Sequence, residues 1–252
     1  IELEEIFVPK KNYVRSSKKE VLSQVIEDLK FAAENLSPIT EVADGEISQP
    51  AAYHLLSEVY LANQQYEEAY DAATLVIDNP DLDLMKNRFG SLKSEPGDVY
   101  YDLFRAGNQN RNSGNTEAIW VIQYETNVIG GDNGTSNVYG SGYKAERVFC
   151  PLVRDLRVDG EGVSPFLWPN STFSSGGRGV GFGIPTIYFS NTIWENSDWN
   201  DMRNSNYNIV RKFICDNPES KFYGQVLDTE NPPEGIEVPS RSWFAYQSKC
   251  TT

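Results

Sequence analysis

The chain has 252 residues, 39% of them hydrophobic, and sets 22 Lys and Arg against 36 Asp and Glu, a formal charge of −14. That is enough apolar material for one large core or two modest ones, and too acidic a balance to attract nucleic acid or anionic lipid heads. No run reaches the roughly 18 apolar residues that a spanning helix needs, and the three cysteines, Cys150, Cys215 and Cys250, are too widely spaced for a Cys-x-x-Cys site and odd in number, so they are expected to be free or structural.

Residues 16 to 36, SSKKEVLSQVIEDLKFAAENL, place Val21, Leu22, Val25, Ile26, Leu29, Ala32, Ala33 and Leu36 at steps of three and four, the stripe of an amphipathic helix. Ser17 followed by Glu20 predicts a capping box at its start. A helix of about 19 residues is roughly 28 Å long and needs a partner for its stripe. That partner follows in AAYHLLSEVYLANQQYEEAYDAATLVIDNP, which reads as two helices with a turn near Asn63 to Gln65. Leu56, Ser57 and Tyr60, then Ala69, Ala73 and Val76, fall near the large and small contact positions of a tetratricopeptide repeat. The match is partial: Ser57 replaces the repeat's Gly, and Pro80 comes about one residue early. One such pair cannot bury its face alone, so the preceding helix is expected to stack on it.

Near residue 90 the character changes, dividing a helical part, 1–90, from an irregular part, 91–252, as one intertwined unit. GNQNRNSGN, GGDNGTSN and SSGGRGVGFG are rich in turn residues, and TEAIWVIQYET between them alternates like a strand with Trp120 in the core. The fold class is therefore mainly α, with helix pairs, a large loop-rich portion and a few short strands. Long ordered loops are where a scaffold presents a binding surface.

The inventory for catalysis is thin. His54 is the single histidine and lies on a helix, which supplies neither a nucleophile relay nor a zinc site, and no metal or cofactor is expected. Asp155, Asp159, Glu161, Glu195, Asp198 and Asp201 lie near aromatics, and paired carboxylates of this kind would be needed by a glycan-cleaving enzyme. GGRGVGFG lacks both the dinucleotide-binding spacing and the Lys-Ser/Thr of a phosphate loop and reads as a flexible or tightly turning segment. NQNRNSGN lacks the aspartates and closing Glu of a calcium loop. Asn133 and Asn170 begin glycosylation sequons, which arise by chance in Asn-rich loops.

The aromatics carry the remaining signal. The five Trp and 14 Tyr lie disproportionately beyond residue 95. Tyr139 and Tyr143 in NVYGSGYK, Trp168 in FLWPN, and Trp194 and Trp199 in TIWENSDWN have polar residues within a few positions on both sides. A ring so placed offers an apolar face for a pyranose beside partners for its hydroxyls, so these five are the candidate ligand-binding residues. Tyr188, with apolar neighbours in IPTIYFSN, is assigned to the core, while Asp201 and Arg203 of DMRN are expected to hold the local fold.

The capped helix, the helix pair, YYDLFRAGNQN, EAIWVIQYE, ERVFCPL, IPTIYFSN and DMRNSNYNIVRKF, in that order, resemble the SusD/RagB family of Bacteroidetes nutrient-binding lipoproteins. The resemblance implies a non-enzymatic binding protein built on tetratricopeptide-like helices. It implies anchoring to the outer face of the outer membrane through an N-terminal lipid, and oligosaccharide delivery to a SusC-like TonB-dependent transporter, with peptide as ligand in the RagB branch. It also implies that the lipid-bearing cysteine and first helices precede residue 1, and that closing helices follow SKCTT. The family's aromatic residues follow no fixed motif, so the five candidates rest on local chemistry. A tetratricopeptide adaptor for a protein partner is the reading of the helices without the resemblance.

Overall fold

The computed structural model describes residues 12–124, 128, 144–167, 177–197 and 199–251. These fall into two units, one within Ile1–Leu84 and Thr116–Val121, the other within Met85–Asn115 and Ile122–Thr252. Helix dominates the regular structure and the strands are short.

The first unit is built on α1 (Lys18–Asn35), α2 (Gln49–Ala62) and α3 (Tyr66–Ile77). The capping box forms: Glu20 N–H donates to Ser17 Oγ at 3.2 Å, and Ser17 N–H donates to the Glu20 carboxylate at 2.8 Å. The stripe of α1 delivers Ile26 to a core shared with Leu56 and Tyr60 of α2 and Ala69 and Ala72 of α3. Ala72 rather than Ala73 is the small residue buried in this seam, one position from the repeat-based expectation. Gln49 Nε2 donates to the Ala33 carbonyl at 2.9 Å, tying the end of α1 to the start of α2.

The segment TEAIWVIQYET does not form the expected strand in its described part. Thr116 instead exchanges hydrogen bonds with Asp83. Trp120 is 48% exposed and is held through its indole N–H, which donates to the Gly45 carbonyl at 2.9 Å. Its apolar alternation finds no partner strand among the described residues, and one polar anchor takes the place of the core packing expected for the ring.

The second unit has two antiparallel pairs, β1 (Ile209–Val210) with β4 (Tyr246–Gln247) and β2 (Lys212–Ile214) with β3 (Val226–Asp228). Its short helices are α4 (Val99–Asp102), α5 (Ala145–Phe149) and α6 (Ile193–Glu195). The core gathers on Trp243, whose ring centroid lies 4.4 Å from that of Phe213 and 5.6 Å from that of Phe166. All three cysteines are free and buried in this core. Burial raises each thiol above its ordinary pKa, Cys215 to about 11.

Two loop-rich segments turn out to be closely fitted. In GGRGVGFG, a Cβ on Gly179 would lie 2.5 Å from the Cys150 and Pro151 carbonyl oxygens, so only glycine lets this strand of loop lie against the end of α5. In NQNRNSGN, buried Asn108 donates to the Asp102 carbonyl at 2.9 Å and accepts from Ser91 N–H at 2.9 Å. The buried Asp102 carboxylate accepts from Arg88 Nε at 2.6 Å, Arg88 Nη2 at 3.0 Å and Phe89 N–H at 3.1 Å. The polar composition of this region therefore fills an internal network, where each buried group must find a partner.

Candidate functional site

The chain turns sharply after a π-helical turn at Tyr188–Thr192 and the short α6. The Trp199 N–H donates to the Trp194 carbonyl at 3.2 Å, and Trp199 itself takes a left-handed backbone conformation, φ +62°. A large side chain rarely sits there, since its Cβ crowds the backbone. The consequence is a ring aimed outwards, 42% exposed, instead of one folded back over α6.

Trp199 lines an open cleft of about 500 Å³ with Asn204, Ser205, Asn206, Tyr207, Arg211 and Glu230. The Arg211 guanidinium lies 5.3 Å from the Trp199 ring centroid, within cation–π range. Its side chain is only 7% exposed, and its Nε faces a Glu230 carboxylate oxygen at 3.4 Å. Arg211 Nη2 donates to Asn204 Oδ1 at 2.6 Å and to the Ser190 carbonyl, so one cation joins the π-helical turn, the Asn204 loop and the strand pair. Burial lowers the Arg211 pKa, and the charges of Glu230 and Asp228 oppose that shift.

The cleft's other wall is fastened from beneath. Asn208 Nδ2 donates to both Asp98 carboxylate oxygens at 2.9 Å and to the Met202 carbonyl at 2.9 Å. Ser205 Oγ donates to Asp98 Oδ2. With this loop pinned, Tyr207 stays half exposed beside Tyr101, ring centroids 6.1 Å apart. The arrangement is a rigid apolar wall carrying a donor, a carboxylate and carboxamides, suited to a ligand with apolar faces and many hydroxyls.

Of the five candidates, Trp199 is the one the structure places in this cleft. Trp194 is 8% exposed, packs with Ile209 and Ala245, and donates its indole N–H to the Phe189 carbonyl at 3.0 Å. It is a core residue, because the turn that projects Trp199 carries Trp194 inward. Tyr139, Tyr143 and Trp168 lie outside the described residues, as do the sequons at Asn133 and Asn170. Tyr188, expected in the core, is 60% exposed. Its apolar neighbours Ile187 and Phe189 are also partly exposed, so the run lies at the surface, with Phe189 set edge-on to Trp194.

Asp201 and Arg203 act locally as expected. Asp201 accepts from Arg203 N–H and Nε at 2.9 Å each, and these bonds hold its pKa below the ordinary value. Glu161, bonded by Lys221 N–H and Ser220, is likewise lowered, the opposite of what a general acid requires. Tyr207, Arg211 and Glu230 were missed as site residues. Tyr207, flanked by Asn206 and Asn208, carries the same local signal as the chosen rings, whereas Arg211 and Glu230 meet only through the pairing of β2 with β3.

No helix among the described residues is long and apolar enough to cross a membrane, and no family model matches the chain. A crystal structure of a SusD-like protein from Bacteroides fragilis superposes with a TM-score of 0.43 at 18% identity, covering 98% of this chain and 49% of that one. Over 150 residues the chain is 24% identical to a SusD-like protein of Formosa agariphila, a match covering 56% of this chain and 25% of that protein. The chain thus spans about a quarter of the curated relative it matches. In sequence the chain is similar to a SusD-like protein over a little more than half of its length.

Proposed function

We propose that this chain is the ligand-binding portion of a cell-surface glycan-capture protein. The whole protein would hold oligosaccharide at the outer face of the outer membrane, anchored by an N-terminal lipid, and pass it to a SusC-like TonB-dependent transporter without altering it. Similarity to SusD-like proteins supports the class. The observation that carries the ligand reading is Trp199, a 42% exposed ring lining a cleft that also holds Asn206, Tyr207, Arg211 and Glu230. Stacking on such rings contributes on the order of 1 kcal/mol each beyond area burial, so micromolar to millimolar affinity is expected.

Isothermal titration against soluble polysaccharides and, in parallel, a peptide mixture tests the proposal. Binding of at least one glycan, weakened in Trp199→Ala, is the expected result. Binding of peptides alone, or of nothing in either set, overturns it. Alanine variants of Tyr139, Tyr143 and Trp168 in the same titration determine whether the proposed surface extends to those rings.

A further inference from the structure

We infer that the Trp199 cleft selects neutral sugars, presenting adjacent free hydroxyls, over glycans carrying uronate or sulfate groups. The inference rests on the glycan reading above and adds the charge class of the ligand. At first sight an arginine in the cleft favours the opposite. Arg211, however, already has its charge offset: it is almost wholly buried, its Nη2 is bonded to Asn204 and Ser190, and a Glu230 carboxylate oxygen stands 3.4 Å from its Nε, which makes no hydrogen bond among the described residues.

What the pair leaves open is a donor beside an acceptor. Arg211 Nη1 has no hydrogen bond to the described residues, and Glu230 receives one, from Asn191 Nδ2 to Oε1 at 3.0 Å. A hydroxyl both donates and accepts, so of two neighbouring hydroxyls one can accept a hydrogen bond from Nη1–H and the other donate one to Glu230 while a pyranose face rests on Trp199. A ligand carboxylate or sulfate could accept from Nη1, but it would then stand against the Glu230 carboxylate, on a chain of net charge −14. Like charges about 5 Å apart near a protein surface weaken binding by roughly tenfold or more. Placing the carboxylate of Glu230 beside Arg211 thus sets the specificity, because it removes the cation's reason to prefer an anion.

The test uses the neutral glycan retained in the polysaccharide titration and the same chain oxidised at C6 to the uronate, at low and at physiological salt. The neutral form should bind at least about tenfold tighter, with the gap narrowing as salt screens the repulsion. Glu230→Gln should weaken neutral binding by no more than a few-fold, since the amide oxygen still accepts, while raising uronate binding several-fold, so that the ratio between the two forms collapses. If this variant does not fold, the matched neutral and oxidised pair on the unaltered chain decides the question alone. Equal or tighter binding of the oxidised glycan overturns the inference while leaving glycan capture standing. Failure of every glycan to bind overturns both.

Discussion

The left-handed backbone at Trp199 allows the binding role of the ring to be separated from its contribution to stability. For a residue with a Cβ, φ of +62° costs roughly 1–2 kcal/mol, a strain glycine escapes. Trp199→Ala keeps the strain and loses the cation–π contact with Arg211, about 0.5–1 kcal/mol at an exposed site, together with the packing of a half-buried ring. Trp199→Gly loses the same contacts and relieves the strain, although glycine gives back roughly 0.5–1 kcal/mol through the greater freedom of its unfolded chain. Glycine should therefore be the more stable of the two variants, by about 0.5 kcal/mol, reversing the usual order of Ala over Gly. At roughly 2–4 °C per kcal/mol for a domain of this size, differential scanning calorimetry would read this as about 1–2 °C. Both variants should bind glycan on the order of fivefold more weakly. Alanine more stable than glycine would refute the strain argument, and an unchanged Kd in both would remove the ring from the site.

Trp194→Ala, by contrast, should empty a core site and cost about 3–5 kcal/mol, seen as a large fall in Tm of the second unit. Asp102→Ala should cost about 2–3 kcal/mol, since it leaves the buried Phe89 N–H without its partner and removes the charged bonds from the partly exposed Arg88, which keeps those to the Leu92 and Glu95 carbonyls; denaturant unfolding measures it, and Asp102→Asn should cost less. The three thiols should resist a disulfide-exchange reagent in the native protein and react once it is unfolded. Their folded pKa values are raised, so the stability they confer is complete below the unfolded value of about 9 and is lost as pH rises towards the folded one. For Cys215 that window runs from 9.0 to about 11, and Cys215→Ala should flatten the decline measured by urea unfolding across it.

How much could be read from the sequence depended on how local the cause was. Helix α1 was legible because its stripe and capping box are fixed by residues within a turn or two of each other, and the following pair because a short turn forces its helices together. Trp120 was misread because alternation marks a strand only if another strand is there to pair with, a fact held elsewhere in the chain. Asn108 in its turn-rich run shows the converse. Composition marked a loop, but the loop's content is the internal network around Asp102, which no short window announces.

The candidate site shows the same limit at the scale of five residues. Trp194 and Trp199 stand five residues apart in one polar stretch, yet one lies inside the core and the other is 42% exposed, with the backbone taking φ +62° at Trp199 itself. Polar flanks report that a ring could tolerate water; they do not report which way the chain turns. The groups that give the cleft its chemistry are more remote still, Arg211 just before one strand of a pair and Glu230 just past the other. A ring signal in sequence therefore points to a region, and the charge class of the ligand becomes arguable only when the hairpin has brought a cation and a carboxylate to the same wall.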